Sequence, residues 1–318
     1  MSYLGNKSPE EFLMGNRSFK PLPVALSLLT SYVSAISILG LSGESYANGM
    51  QFFTITLGIV MALNFSTYLL LPILYPLKLT TVNEYIELRF KSKALCSVIF
   101  LLSTVKNLFS SGITLFAPTI ALVSITKLGY LTNIFLLGIV CTLYSSLGGI
   151  KAVIWTDVFQ ISVMMIGLIS VLTIGASLNG GIIETLYIAS KGGRLELFDM
   201  NLSPFVRHTF INTVASGFFH YLSLYSSDQI NFQRICTVKS IKMAQRVISY
   251  NVFGIVLIFS LIFPSGLVAY ANYAGCDPMA LGIIKRKEEI IPYFVMDKLS
   301  FIPGLPGIFV ATLVGGSL

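Results

Sequence analysis

Long uninterrupted apolar runs constrain this chain more than any other feature. An apolar helix of about 20 residues crosses a bilayer core of about 30 Å. Seven segments read as complete candidates: 22–41, 51–74, 95–123, 131–147, 154–178, 210–225 and 247–270. An eighth begins near Pro303 and runs to the last residue. With 54% hydrophobic and only 11% charged residues, and a mean hydropathy of +0.80, a water-soluble fold would lack the polar surface to cover its core. The fold class expected is all-α, a polytopic membrane protein. The third segment is long enough to be tilted or to extend beyond the bilayer. The sixth holds Asn212, Ser216, Gly217 and His220, so it is a short span or a helix facing a polar interior.

Orientation follows from basic residues in the connections. Residues 1–20 are polar, carry no apolar signal-peptide core, and read as a cytoplasmic tail with Lys7, Arg17 and Lys20. On the same side fall Lys78, Arg89, Lys91 and Lys93, then Lys151, then Arg234, Lys239, Lys242 and Arg246. Asn201-Leu202-Ser203 then lies outside, where it is a candidate N-glycosylation site. The net charge of +7 is dispersed between apolar runs, which argues against nucleic-acid binding. The four cysteines show no CxxC spacing, and His208 and His220 share no metal-ligand spacing, so no zinc site or disulfide framework is expected. No P-loop, GxSxG or HExxH motif is present, and the chain is read as a non-enzyme.

Four places carry polar or small residues at membrane depth. In the first run Ser27, Thr30, Ser31, Ser34 and Ser37 surround Tyr32, with Gly40 and Gly43 beyond. Such a stretch either unwinds, freeing carbonyls for a cation, or forms a small-residue helix contact. Gly148-Gly149 reads as a tight turn, which puts Asp157 in the first turn of the next helix. There it either neutralises a cation near the inner mouth or anchors the helix start by pairing with Lys151. Lys106, within the third run, either attracts an anionic substrate or finds an acid or the membrane surface. The last residues, Gly315-Gly316-Ser317-Leu318, suit close helix approach or an ion site.

Several segments also resemble one family: 11–18, 79–90, 148–160 (Gly-Gly-Ile-Lys-Ala-Val-Ile-Trp-Thr-Asp-Val-Phe-Gln), Gln233-Arg234, Cys276-Asp277-Pro278 and 303–307. They are similar to the sodium/solute symporters, most of all the branch of sodium-coupled monocarboxylate, multivitamin and iodide transporters. The resemblance implies a leucine-transporter-like fold of two inverted five-helix repeats. Residues 22–178 would form the first repeat and 207–318 an incomplete second one. It implies sodium (Na+) as the coupling ion with no other cofactor, and sodium ligands from the main-chain carbonyls of Thr30, Val33 and Gly316. Asp157 would act in ion coupling, and Tyr32, Ser37 and Lys106 would lie near the substrate. The expected function is symport of a small organic anion, a monocarboxylate or vitamin, across the plasma membrane. The chain is expected to be a fragment lacking part of the sodium site. The competing readings are a non-transporting membrane subunit that regulates a full-length relative, and an intramembrane enzyme.

Overall fold

A computed structural model describes residues 9–79, 81–126, 128–203 and 205–316. Among the described residues the chain is helical, and its one β-bridge joins Phe19 to Val238. A short helix α1 (Pro9–Met14) precedes α2 (Pro21–Tyr32) and α3 (Ala35–Asn48). The next run, Met50–Leu77, contains α4 (Ile55–Phe65) and α5 (Leu71–Leu74), joined by a π-helical turn over Ser66–Leu70. A short α6 (Val82–Phe90) leads into α7 (Lys93–Thr126) and then α8 (Tyr130–Leu178). After α9 (Ile182–Lys191) come α10 (Phe210–Ser227), α11 (Gln229–Ile235), α12 (Ile241–Asn272), α13 (Ile290–Lys298) and α14 (Leu305–Gly315).

Side-chain caps explain where several helices start. The oxygens of Thr81, Thr209, Asp228 and Ser240 each accept a backbone N–H from the first turn that follows. Gly149, at φ +57°, bends α8, as the Gly-Gly dipeptide requires. Helix α12 sits at the centre and packs on α2, α3, α4 and α8. Its Ile255, Ile258, Phe259, Ile262 and Phe263 are buried in the core. Helices α4 and α10 approach through glycines: a methyl group on Gly58 would lie 2.0 Å from the Val214 carbonyl oxygen, and one on Gly217 2.4 Å from that of Ile55. Small residues permit this contact in lipid.

The structure modifies the span assignment in two ways. The first run is not one straight helix: α2 and α3 meet at 58°. Among the described residues four single helices are long and apolar enough to cross a membrane, or five counting this broken pair; α10, the sixth expected span, is not one of them. The apolar limb at the start of α8 (Tyr130–Leu143) and α14 are shorter. The connections 179–209 and 271–302 hold helices α9 and α13, whose short, mixed sequences carry no spanning signal.

Candidate functional site

The site is built around the break between α2 and α3. Val33 (φ −97°, ψ 71°) and Ser34 (φ −82°, ψ 173°) leave helical geometry. A helix end leaves its last carbonyls without intrahelical donors, so the turn from Thr30 to Val33 offers oxygens at the break. Gly316, at the end of α14, packs directly on it. A methyl group built there would lie 2.9 Å from the Val33 carbonyl oxygen and 3.4 Å from the Ser34 Cα. Val33 and Gly316 are therefore neighbours, while Ser317 and Leu318 lie outside the described residues. Thr30 is buried, and its hydroxyl donates to the carbonyls of Leu26 and Asp157, both at 3.0 Å.

Asp157 faces α2 from α8. It lies eight positions beyond the Gly149 bend rather than in a first helical turn, so a helix-terminus dipole does not hold it. Lys151 does not reach it either: that ammonium binds Glu11 Oε1 at 2.6 Å. The partner of Asp157 is Arg234 of α11, with Nη1 3.2 Å from Oδ2. The Ser27 hydroxyl also donates to Oδ2, at 2.6 Å. Arg234 Nη1 donates in addition to the Ser27 carbonyl (2.9 Å) and to the Ser31 hydroxyl. The pair is nearly fully buried and ties α2, α8 and α11 together below the break.

At the last residue of α2, Tyr32 stacks on Tyr225 of α10 with ring centroids 5.0 Å apart, and Tyr221 tilts against it at 5.7 Å. Tyr225 donates to Asn251 Oδ1 of α12 at 3.0 Å. Ser37 is occupied locally, its hydroxyl donating to the Tyr32 carbonyl at 3.0 Å. Lys106 meets an acid: its Nζ is 3.0 Å from Asp228 Oδ2, at the point where α10 gives way to α11. Asn201 is exposed, and its Oδ1 accepts the Ser203 N–H at 2.9 Å.

Three charged groups were missed by the sequence reading. Arg234 entered it only as a basic residue of a connection and as part of a motif, Asp228 not at all, and Glu44 not at all. Glu44 is buried on α3 and binds Arg207 Nη2 (3.0 Å), His208 Nε2 (2.9 Å) and Lys287 Nζ. The available signal was an acidic residue within or bordering the runs 22–41, 154–178 and 210–225, which demands a partner.

The model of the Sodium:solute symporter family matches residues 12–315, and the chain belongs to that family. Among its relatives, mouse "Sodium-coupled monocarboxylate transporter 2" is 37% identical over 97% of this chain and 50% of that protein. Human "Sodium-coupled monocarboxylate transporter 1" is 37% identical over 99% of this chain and 51% of its own length. The human "Sodium/iodide cotransporter" is 36% identical over 99% and 49%. The chain thus spans about half the length of the curated relatives it matches. A solved substrate-bound, outward-open Na+-coupled sialic acid symporter superposes with a TM-score of 0.85 at 20% identity, over 98% of this chain and 65% of that one. The fold is leucine-transporter-like.

Proposed function

We propose that this chain forms the sodium-binding and substrate-facing half-helices of a symporter for a small organic anion in the plasma membrane. The observation carrying the reading is the Val33 carbonyl, freed by the helix break and apposed to Gly316. Unwound backbone carbonyls at mid-membrane are the usual sodium ligands of such folds. Thr30, Val33 and Gly316 would supply them, and Asp157 would couple ion movement to the Arg234 network beneath. Tyr32, Ser37 and Lys106 would border the substrate, with Lys106 favouring an anion. Segments 22–178 and 207–318 would be the two repeats, and Asn201 would carry an N-glycan outside. Sodium holds the repeats in one arrangement and substrate shifts the population toward closure. Moving one positive charge inward across 100 mV supplies about 2.3 kcal/mol.

The test is uptake of radiolabelled lactate, butyrate, biotin and iodide, with sodium or with choline in its place. Cells would express the chain alone or joined to the C-terminal helices of a curated relative. Uptake requiring sodium, and weakened by Asp157→Asn, is the expected result. Surface-located protein of both kinds that takes up none of the four would overturn the reading. A glycosidase-sensitive mass shift that Asn201→Gln abolishes tests the outward placement of that loop.

A further inference from the structure

The Lys106–Asp228 pair takes no part in the network around Asp157. Lys106 lies roughly 20 Å along α7 at 1.5 Å per residue, a depth at which an ammonium needs water or a partner. Its side chain is 60% exposed and its ion pair with Asp228 uses one of the three N–H donors of the ammonium. Asp228 is held from behind. Its Oδ1 accepts the Ile230 N–H at 3.1 Å and the Asn231 amide at 3.4 Å, which leaves Oδ2 aimed at Lys106.

Around the same junction Asn231 Oδ1 is buried and lacks a hydrogen-bond partner among the described residues. Asn231 is 4% exposed. Asp228 and Arg234 both lie within electrostatic reach of the Tyr32 hydroxyl. The breaks at Val33–Ser34 and at Asp228 therefore border one polar region with hydrogen-bonding capacity unmet. Arg234, the other cation there, is committed to Asp157.

We propose that Asp228 is a specificity-determining residue: it positions the Lys106 ammonium for one carboxylate, and its own fixed charge rejects ligands carrying a second. This inference rests on the substrate-facing role given to Lys106 above. A monocarboxylate takes the remaining ammonium donors without displacing Asp228, and a coupling cation balances the charge. A dicarboxylate brings another negative charge within several ångströms of Asp228 and finds no uncommitted cation at the junction among the described residues. At that separation like charges cost on the order of tenfold in affinity or more.

The test is equilibrium binding of radiolabelled butyrate and succinate to the purified full chain in lipid nanodiscs, with saturating sodium at neutral pH. Wild type should bind butyrate on the order of tenfold or more above succinate. Asp228→Asn keeps the cap on α11 and should narrow that gap by a similar factor. Asp228→Glu should preserve it, and Lys106→Met should weaken both ligands. Comparable binding of succinate and butyrate by wild type overturns the proposal, whatever becomes of the variants. An unchanged ratio in Asp228→Asn also overturns it and reduces the pair to a strut between α7 and α11, while leaving the symport reading intact. Binding of neither ligand by wild type overturns this proposal, while the symport reading stands or falls on the uptake test.

Discussion

Replacing Arg234 by Gln perturbs the most buried charge pair in the bundle. The two groups are 3.2 Å apart, with side chains 10% and 7% exposed. At an effective dielectric of about 20, that separation corresponds to about 5 kcal/mol of gross attraction. Desolvation offsets much of this in the intact pair, but Arg234→Gln removes only the attraction. Asp157 then keeps the Ser27 hydroxyl alone, and an uncompensated buried charge costs about 3–5 kcal/mol. At roughly 2 °C per kcal/mol for a chain of this size, the melting midpoint should fall by about 6–10 °C. The assay is thermal unfolding in a fixed detergent, with Asp157→Asn and the double variant beside it. The double variant should be less destabilised than the two single effects added, because each substitution removes the other's unpaired charge. A midpoint for Arg234→Gln within about 2 °C of wild type, or strict additivity, would refute the claim that the pair acts as one unit.

Three further outcomes follow from other contacts. Gly58→Ala and Gly217→Ala drive a methyl into a facing carbonyl and should each cost about 1–3 kcal/mol; Gly112→Ala meets nothing within 4 Å and should melt like wild type. Glu44→Gln removes the common anchor of Arg207, His208 and Lys287, so limited trypsin digestion should cut at 285–287 on the order of tenfold faster, as expected for a locally opened segment. Burial raises the Cys236 thiol to about 11, so it stays protonated at pH 8 and should resist maleimide under conditions that label the exposed Cys276. Because that pKa is raised in the folded state, the stability it supports is present below the ordinary thiol value and is lost as pH rises toward 11.

Helix positions were legible because each apolar run is a local property of consecutive residues. The break at Val33–Ser34 was legible as one of two options, since hydroxyl side chains and small residues weaken a helix without specifying how it resolves. The ion pairs were not legible. Asp157 and Arg234 are far apart in sequence, and Lys151 stood much closer to Asp157 as a rival partner. On a helix Lys151 and Asp157 are six residues apart and face different directions, so α8 sends Lys151 to Glu11 of α1 and Asp157 to α2. The same limit applied to Lys106, whose acid lies across the bundle where α10 breaks. The short helices α9, α11 and α13 were invisible because each is only 7–10 residues long, too short for a span.

The deep charges also follow a pattern. A carboxylate at membrane depth requires a cation, and buried Asp157 and Glu44 and half-buried Asp228 each find one on a different element. Asp157 binds α11, Asp228 binds α7, and Glu44 on α3 gathers Arg207, His208 and Lys287 from two connections. Two of these clusters flank the α2–α3 break on opposite sides, with Arg234 and Asp157 gripping α2 and Glu44 gripping α3. A half-helix that tilts must carry its charge past a fixed partner, so each pair has to break or travel as a unit. The α2 cluster is held by several hydrogen bonds in a packed interior. The α3 cluster uses an Arg207 side chain that is 65% exposed, and exposed pairs are worth far less than buried ones. On these contacts Arg207 is the most exposed of the three groups on Glu44, while both partners of the Arg234–Asp157 pair are buried.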